Sequence, residues 1–251
     1  MARHLTVITG ASRGMGLAMA QQLLDAGHEL LCISRKTNPG LEARAAKAGV
    51  ACEQWPQDLA RAATAAARLE TWLKAKSAQD LASVTLINNA ALLPKIAPLA
   101  HLAPEDLSDG LRVDLEAPLL LTSAFLRATA PWRATRKVLN ISSGLGRRAM
   151  ASQALYCAAK AGMDHFTRCV ALEEAQQPNG ARVCSLAPGV IDTDMQVQLR
   201  QSDPKEFPDV GHFVGMKEQG VLASADEAAR RVLAYLARPD FGSNPVGDIR
   251  D

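Results

Sequence analysis

The stretch "TGASRGMG", residues Thr9 to Gly16, directly follows an apolar run and opens a helical pattern. Its glycines, Gly10, Gly14 and Gly16, allow a tight turn, a close approach of the backbone to a pyrophosphate and close packing of the next helix. The phosphates would then bind at the helix N-terminus. A glycine-rich turn alone is weak evidence, but this one lies between a strand pattern and a helix pattern, as a dinucleotide-binding turn does.

Apolar, β-rich runs recur along the chain with helix-forming stretches between them. The runs are "LTVITG", "ELLCIS", "VACEQW", "SVTLINN", "KVLNIS" and "ARVCSLAPG". This alternation predicts βαβ units and a parallel sheet covered by helices on both faces, and the tail "VGDIRD" adds an edge strand. Because no linker or repeat interrupts the alternation, we predict one doubly wound, Rossmann-type α/β domain over residues 1–251.

Several helices are recognisable from their content and from their stop signals. "MGLAMAQQLLDAGH" is expected to end at Gly27, and "PEDLSDGLRVDLEAPLLLTSAFLRA" is expected to bend because it contains Gly110 and Pro118. "ALYCAAKAGMDHFTRCVALEEA" is a further long helix. The pattern loosens over about residues 189–222, which is too long for an ordinary connection and is typical of a lid.

Composition excludes several function classes. The net charge is +2, from 28 basic and 26 acidic residues, which is too even for a nucleic-acid or anionic membrane surface. The five cysteines form no CxxC pair, no run reaches the roughly 18 apolar residues of a membrane span, and the N-terminus lacks a signal-peptide pattern. We therefore expect a soluble cytoplasmic protein, and the spacing of the five histidines predicts no metal site.

The end of the second strand normally selects the dinucleotide, since an acid there binds the ribose 2′-hydroxyl and repels a 2′-phosphate. This chain reads "CISRKT", without an acid. Arg35, with Arg13 approaching from the glycine turn, would bind a 2′-phosphate through charge-assisted hydrogen bonds. The pattern therefore favours NADP. The alternative is that Arg13, Arg35 and Lys36 are solvated surface charges.

The segment "YCAAK" places Tyr156 and Lys160 four residues apart, on one face of a helix. Such a pair is usually an aromatic residue at the edge of the core beside a solvated lysine. However, "TGASRGMG", "NNAA" (Asn88 to Ala91), "NISS" (Asn140 to Ser143), "YCAAK" and "APGVIDTDM" together resemble, in order and spacing, the short-chain dehydrogenase/reductase family. The resemblance covers nearly the whole chain and implies a seven-stranded parallel sheet and catalysis by Ser, Tyr and Lys.

Within that family the sequence is most similar to the sepiapterin reductase and benzil reductase branch, through "PGVIDTDMQ", "KEQGVLASADEAARRVL" and "GDIRD". Position by position, the resemblance implies that Ser143, Tyr156 and Lys160 are catalytic, with Ser142 as the alternative serine. Asp114 stands where the family usually has a catalytic-site asparagine whose backbone carbonyl helps to hold a water beside the lysine. Its negative charge would act on the Lys160 ammonium group and so on the proton relay.

The resemblance also implies two sets of binding residues. The cofactor set is Gly10, Ser12, Arg13, Gly14, Met15, Gly16, Arg35, Asp58, Leu59, Asn88, Asn89, Ala90, Tyr156, Lys160, Pro188, Gly189, Ile191 and Thr193. The substrate set is Ser143, Leu145, Tyr156, Met195 and Asp248, the last as an anchor for a pterin or as a solvated terminal charge. The lid residues Met195, Leu199, Phe207, Phe213 and Met216 form an apolar wall or pack the lid onto the body.

Carbonyl reduction needs a hydride, which a dihydronicotinamide supplies, and a proton. We expect Tyr156 to give the proton, Lys160 to lower the tyrosine pKa, and Ser143 to hydrogen-bond the carbonyl oxygen. The sequence thus predicts an NADPH-dependent carbonyl reductase acting on a small ketone, diketone or pterin side-chain carbonyl. A 3-oxoacyl thioester or sugar substrate, or a non-catalytic NADP-binding sensor, are the alternatives. The resemblance further suggests a homodimer or homotetramer through the helices at about 104–128 and 154–175.

Overall fold

Seven parallel strands form one sheet in the computed structural model, which describes residues 3–251. The strands are β1 Arg3–Thr9, β2 Glu29–Ser34, β3 Cys52–Pro56, β4 Leu81–Asn88, β5 Thr135–Ile141, β6 Arg182–Ala187 and β7 Val246–Asp248. Their order is β3-β2-β1-β4-β5-β6-β7, and every neighbouring pair is parallel. This confirms the predicted doubly wound α/β domain, including the edge strand near the C-terminus.

Within residues 3–251, nine α-helices accompany the sheet. They are α1 Gly14–Asp25, α2 Pro39–Ala48, α3 Ala62–Ala75, α4 Pro104–Leu111, α5 Ala117–Thr129, α6 Ala154–Glu174, α7 Asp194–Arg200, α8 Val210–Glu218 and α9 Ala225–Ala237. The stop after α1 is as predicted, because Gly27 has φ of +82° and its N–H binds the Leu24 carbonyl. Helices α7 and α8 lie inside the segment that the sequence analysis left without regular structure.

The predicted bend between Gly110 and Pro118 takes the form of a π turn. Helix α4 ends at Leu111, residues Arg112–Glu116 form the π turn, and α5 begins at Ala117. A π turn inserts an extra residue into a helix and changes which side chains face inward. Asp114, in the middle of this turn, is buried although it is charged.

The sheet separates two apolar layers. One face packs mainly against α3 and α5 through residues such as Leu69 and Phe125, and the other against α1 and α9 through Met19 and Val232. Because both faces are covered, the central strands are apolar almost throughout. The two apolar layers lie on the faces of the sheet and not on its carboxyl-terminal edge. The polar residues that follow the strands therefore lie at that edge.

No helix within residues 3–251 is long and apolar enough to cross a membrane.

His4 and His28 stack near the amino end of the sheet, with ring centroids 5.0 Å apart. Burial, with a smaller contribution from the charge of His4, lowers the pKa of His28 from 6.5 to about 4. Between these two values the unfolded chain binds a proton that the folded chain does not. The folded state therefore loses stability as the pH falls from 6.5 towards 4.

Replacing His28 by Gln should reduce the loss of thermal stability between about pH 7 and about pH 4.5, because this proton linkage is removed. Melting followed by circular dichroism at several pH values measures the effect. The matched control is His165→Gln, at an exposed position on α6. On lowering the pH, the melting temperature of this variant should fall by as much as that of the unmodified protein. An identical pH dependence in the His28 variant would contradict the assignment.

Candidate active site

The sheet order reverses between β1 and β4, and the carboxyl ends of β1, β4, β5 and β6 lie side by side at that edge. In open α/β sheets this is where ligands bind. The four motifs "TGASRGMG", "NNAA", "NISS" and "APGVIDTDM" each follow one of these strands. The fold therefore brings together segments that are up to about 180 residues apart in the chain.

The glycine turn after β1 leaves no space for side chains at two positions. A Cβ on Gly16 would lie 2.2 Å from the Gly10 carbonyl oxygen, and a Cβ on Gly10 would lie 2.9 Å from Cα of Ala90. Gly10 and Gly14 also have φ of +71° and +55°, which L side chains rarely adopt. The turn consequently requires glycine both for its conformation and for its packing.

Thr9 and Asn89 hold this turn against the end of β4. The Thr9 hydroxyl accepts hydrogen bonds of 2.9 Å from the N–H groups of Asn89 and Ala90. The Asn89 amide donates to the carbonyl oxygens of Thr9 and Gly10, at 3.0 and 3.3 Å. Asn88, by contrast, is buried and its amide donates to Thr122 and Asn140. The side chain of Asn89, rather than that of Asn88, contacts the turn.

The N-terminus of α1 fits the phosphates of a dinucleotide. Arg13 is its N-cap, no side chain among the described residues caps it, and its first turn contains no acid. The N–H groups of the first turn are then available to an anion and lie at the positive end of the helix dipole. Ser12 is half-buried in the turn and Met15 is buried beneath it.

The remaining predicted cofactor residues lie around this turn at different depths. Arg35 and Lys36 are exposed after β2, whereas Arg13 pairs with Asp194 at 2.7 Å on the surface. Asp58 caps the short turn at 59–61 through the Ala60 N–H, and Leu59 is buried there. After β6, Pro188 is half-buried, Gly189 has φ of +83°, Ile191 pairs with Ala223, and Thr193 is the N-cap of α7.

The start of the lid segment lies against the glycine turn. A Cβ on Gly14 would be 3.9 Å from the Thr193 methyl group, and the pair of Arg13 and Asp194 joins the same two segments. The start of the segment at about 189–222 is thus directly beside the N-terminus of α1.

Tyr156 and Lys160 lie on α6 beside the end of β5. The Lys160 Nζ is 5.5 Å from the centre of the Tyr156 ring, is buried, and donates a hydrogen bond of 3.0 Å to the Ile141 carbonyl. Ser143 is half-buried, and its hydroxyl oxygen accepts from the Leu145 N–H at 3.1 Å. Hydrogen bonding by Ser143 also acts to lower the Tyr156 pKa, so the two hydroxyl groups are neighbours.

Of the two adjacent serines, Ser142 faces the other way. It is buried, and its hydroxyl donates to Asp164 at 2.6 Å. Ser143 is therefore the serine beside the phenol.

The expectation that Lys160 lowers the Tyr156 pKa is wrong for this structure. The pKa of Tyr156 is raised, first by burial and then by the negative charge of Asp114, with Ser143 opposing. Lys160 is bonded to the Ile141 carbonyl, and burial lowers its own pKa while Asp114 and Asp164 act to raise it. A tyrosine with a raised pKa remains protonated at neutral pH, which is the form that donates a proton.

A buried polar cluster beneath Ser142 was not found from the sequence. Asp164 accepts from Ser142, from Ser185 at 2.7 Å and from Arg147 at 3.1 Å. Arg147 also donates to the Gly247 carbonyl at 2.8 Å, so the cluster joins β5, β6, α6 and β7. Asp164 lies four residues after Lys160 on the same face of α6, and this spacing was a signal from which it could have been found.

The predicted substrate residue Asp248 lies on β7, and its carboxylate is already paired. It accepts two hydrogen bonds of 2.7 Å from the Arg250 guanidinium, and Arg147 lies 4.0 Å away. These arginines lower the Asp248 pKa, Arg250 more than Arg147. An anchoring contact to a substrate would have to share or displace Arg250.

A third apolar cluster joins the lid segment to the body around Tyr156. Its buried members are Leu93, Ile96, Leu199, Phe207 and Phe213, and its partly buried members are Met150, Tyr156, Met195, Val210 and Met216. The structure shows packing of the segment onto the body, and the role of these side chains as a wall for the substrate stays a prediction. Leu199, Phe207 and Phe213 pack the lid onto the body, while Met195 and Met216 keep surface near the phenol. Leu145 is half-buried next to Ser143.

Comparison with known proteins agrees with this geometry. The sequence model of a family described as "short chain dehydrogenase" matches residues 4–204. The chain belongs to the short-chain dehydrogenase family. As a member it is an oxidoreductase acting on CH–OH or carbonyl groups.

Two relatives match over nearly their full length. The benzil reductase ((S)-benzoin forming) of Bacillus cereus is 32% identical over 243 residues, covering 97% of this chain and 96% of that protein. The sepiapterin reductase of Xenopus tropicalis is 32% identical over 265 residues, covering 98% of this chain and 96% of that one. The resemblance to this branch of the family is thus confirmed.

Two solved structures share the fold at lower identity. A 3-oxoacyl-[acyl-carrier protein] reductase from Brucella melitensis in complex with NAD has a TM-score of 0.81 at 22% identity, over 99% of this chain and 96% of that chain. A putative 2-deoxy-d-gluconate 3-dehydrogenase from Agrobacterium tumefaciens with bound NADP has a TM-score of 0.78 at 24% identity, over 98% and 94%. At these identities the likeness concerns the fold alone.

Among residues 3–251 of this short-chain dehydrogenase, no group of three or more His, Cys, Asp or Glu side chains is arranged to hold a metal ion.

Replacing Gly16 by Ala should abolish dinucleotide binding and lower the melting temperature, because the new Cβ would meet the Gly10 carbonyl oxygen. Fluorescence titration with NADPH and NADH, together with a thermal melt, measures both effects. Gly211→Ala is the control, since a Cβ at Gly211 would meet nothing within 4 Å. Unchanged nucleotide affinity in the Gly16 variant would rule out this turn as the binding site.

Proposed function

We propose that this short-chain dehydrogenase is an NADPH-dependent carbonyl reductase acting on a small ketone, diketone or pterin side-chain carbonyl. The observation that carries the proposal is the meeting of Ser143, Tyr156 and Lys160 at the sheet edge that also holds the glycine turn. The relatives named as benzil and sepiapterin reductases match over nearly the whole chain and support this choice of substrate class.

In the proposed reaction, Tyr156 donates a proton to the carbonyl oxygen of the substrate. A dihydronicotinamide bound at the glycine turn would supply the hydride for the carbonyl carbon. The raised pKa of Tyr156 keeps its phenol protonated at neutral pH. The Ser143 hydroxyl, beside the phenol, donates a hydrogen bond to the same oxygen and stabilises the charge that develops there. Lys160, fixed by the Ile141 carbonyl, would bind the nicotinamide ribose. The pair "YCAAK" would thus serve as acid and cofactor anchor.

The choice of NADPH rests on the charges around the turn. The position after β2 carries the exposed Arg35 and Lys36 and no acid, so nothing there repels a 2′-phosphate. Arg35 would bind that phosphate, and Arg13 would contribute once released from Asp194. The phosphates nearer the turn would bind the N–H groups at the start of α1.

The surroundings of Tyr156 favour a diketone over a pterin. The partly buried Met195 and Met216 offer apolar contacts to a flat or aromatic substituent. A pterin anchored by Asp248 would have to compete with Arg250, which is bonded to both carboxylate oxygens. A neutral diketone requires no such displacement. The segment of about 189–222 would act as the substrate lid.

The exposed leucines support assembly through the long helices. Leu111, Leu119 and Leu172 on α4, α5 and α6 are 39, 40 and 73% exposed. Large apolar side chains on these faces would be covered in the homodimer or homotetramer that we propose.

Replacing Tyr156 by Phe should lower NADPH-dependent turnover by about 10²-fold or more, because the proton donor is lost. NADPH affinity, measured by fluorescence titration, should change little. Turnover is followed as NADPH oxidation with benzil, sepiapterin, a 3-oxoacyl thioester and a simple aromatic ketone. Tyr235→Phe, at the other tyrosine of the chain, is the control. Retained turnover in the Tyr156 variant, or tight NADPH binding with no turnover by the unmodified protein, would favour the sensor alternative.

Replacing Arg35 by Ala should raise the KM for NADPH by about tenfold or more while leaving the KM for NADH nearly unchanged, since only the 2′-phosphate contact is removed. Steady-state kinetics with both nucleotides measure the two values. The control Lys47→Ala removes an exposed positive charge from the last turn of α2. Equal effects on NADPH and NADH would show that Arg35 does not read the 2′-phosphate.

A further inference from the structure

Asp114 is a buried carboxyl group that the proposed proton transfer does not itself use. It is 1% exposed, in the middle of the π turn between α4 and α5. Its Oδ1 accepts a hydrogen bond of 2.7 Å from the Leu92 N–H, and its Oδ2 has no hydrogen-bond partner among the described residues. A buried, half-satisfied carboxylate costs free energy, whereas an asparagine would keep the Leu92 bond without the charge.

The π turn packs against α6, which carries the ionisable groups that act on Asp114. Lys160 attracts its carboxylate, and the Tyr156 phenol is in turn influenced by it. The loop after β4 contributes only the Leu92 N–H. One other charged group on the elements packed against the π turn is buried: Asp164 on α6, which is bonded to Ser142, Ser185 and Arg147. The rest are exposed or partly exposed; they are Asp58, Arg61, Arg68, Glu70, Lys74, Glu105, Asp106, Asp109, Arg112, Glu116, Arg127, His165, Arg168, Glu173 and Glu174.

A negative charge at Asp114 opposes the formation of a second negative charge on Tyr156. A phenol that resists losing its proton is also a weaker acid for protonating a carbonyl oxygen. A neutral carboxyl group at the same place would lift that restraint. The protonation state of Asp114 therefore affects the reacting hydroxyl group without contact to the substrate.

We propose that Asp114 is a proton-sensitive positioning residue: as a carboxylate it weakens Tyr156 as a proton donor, and as a carboxylic acid it releases Tyr156. The inference rests on the proposed function. Burial raises the pKa of Asp114 to about 6, against the opposing effects of Lys160 and the Leu92 N–H. The carboxylate form is then present above about pH 6 and is lost as the pH falls below it.

The test is a single-turnover measurement of NADPH oxidation between about pH 5 and about pH 8, with a diketone substrate. In the unmodified protein the rate should rise about threefold as the pH falls through about 6. Asp114→Asn should show the higher rate at every pH, without an inflection. Asp109→Asn, an exposed carboxyl on α4, is the matched control and should retain the inflection.

A second readout does not depend on turnover. Infrared difference spectra between the two ends of this pH range should contain a protonated-carboxyl band that is absent in Asp114→Asn. If the Asn variant does not fold, Asp114→Ser removes the same charge and should behave in the same way. A pH profile of the Asn variant that superimposes on that of the unmodified protein, or an unchanged carboxyl band, would overturn the inference.

The two proposals fail in different ways. If the unmodified protein reduces carbonyl compounds and Tyr156→Phe does not, but the Asp114 variant keeps the inflection, the reductase stands and the role of Asp114 is rejected. If no substrate is reduced, the proposed function is rejected, and the infrared band still decides whether Asp114 takes up a proton.

Discussion

The close packing of the first turn of α1 against the glycine turn is the constraint on which the rest of the site depends. The 2.2 Å between a Cβ on Gly16 and the Gly10 carbonyl oxygen means that only glycine lets the helix start so close to β1. That start places the N–H groups of α1 at the carboxyl edge of the sheet, and the hydrogen bonds of Thr9 and Asn89 tie the end of β4 to the same point. The strand order then places the carboxyl ends of β5 and β6 next to the end of β4.

Buried charge is the second constraint, and it explains the polar network around α6. Lys160 lies in the interior, where an ammonium group must be compensated by nearby negative charge or hydrogen bonds. Asp114 and Asp164 supply the charge from two sides, and the Ile141 carbonyl supplies the hydrogen bond. Asp164 is itself held by Ser142, Ser185 and Arg147. The lysine is therefore held by the end of β5 and by the charge of Asp164, a carboxylate that is fixed in turn by Ser142 and by Ser185 on β6.

The parts that sequence reasoning found are those encoded locally. The alternation of short apolar runs with helix-forming stretches was sufficient to predict the strands, and Gly27 was sufficient to predict the end of α1. The π turn was expected only as a bend, since neither Gly110 nor Pro118 specifies an extra residue. The shift in the Tyr156 pKa was predicted with the wrong sign, because spacing shows which side chains are adjacent on one helix and not which charge from another element prevails. The pairing of Asp248 with Arg250 is different, because the two residues are only two positions apart and this spacing was an available signal.

The ion pair of Arg13 and Asp194 relates nucleotide binding to the lid. Both side chains are mostly exposed, and an exposed pair of this kind contributes at most about 1 kcal/mol. A phosphate group can hydrogen-bond the guanidinium more strongly than this carboxylate does, so it would draw Arg13 away from α7 at little cost. The buried Leu199, Phe207 and Phe213 still anchor the lid segment to the body. A change of partner at Arg13 would therefore act on the first residue of α7, whereas Leu199 near the end of that helix is packed into the apolar cluster.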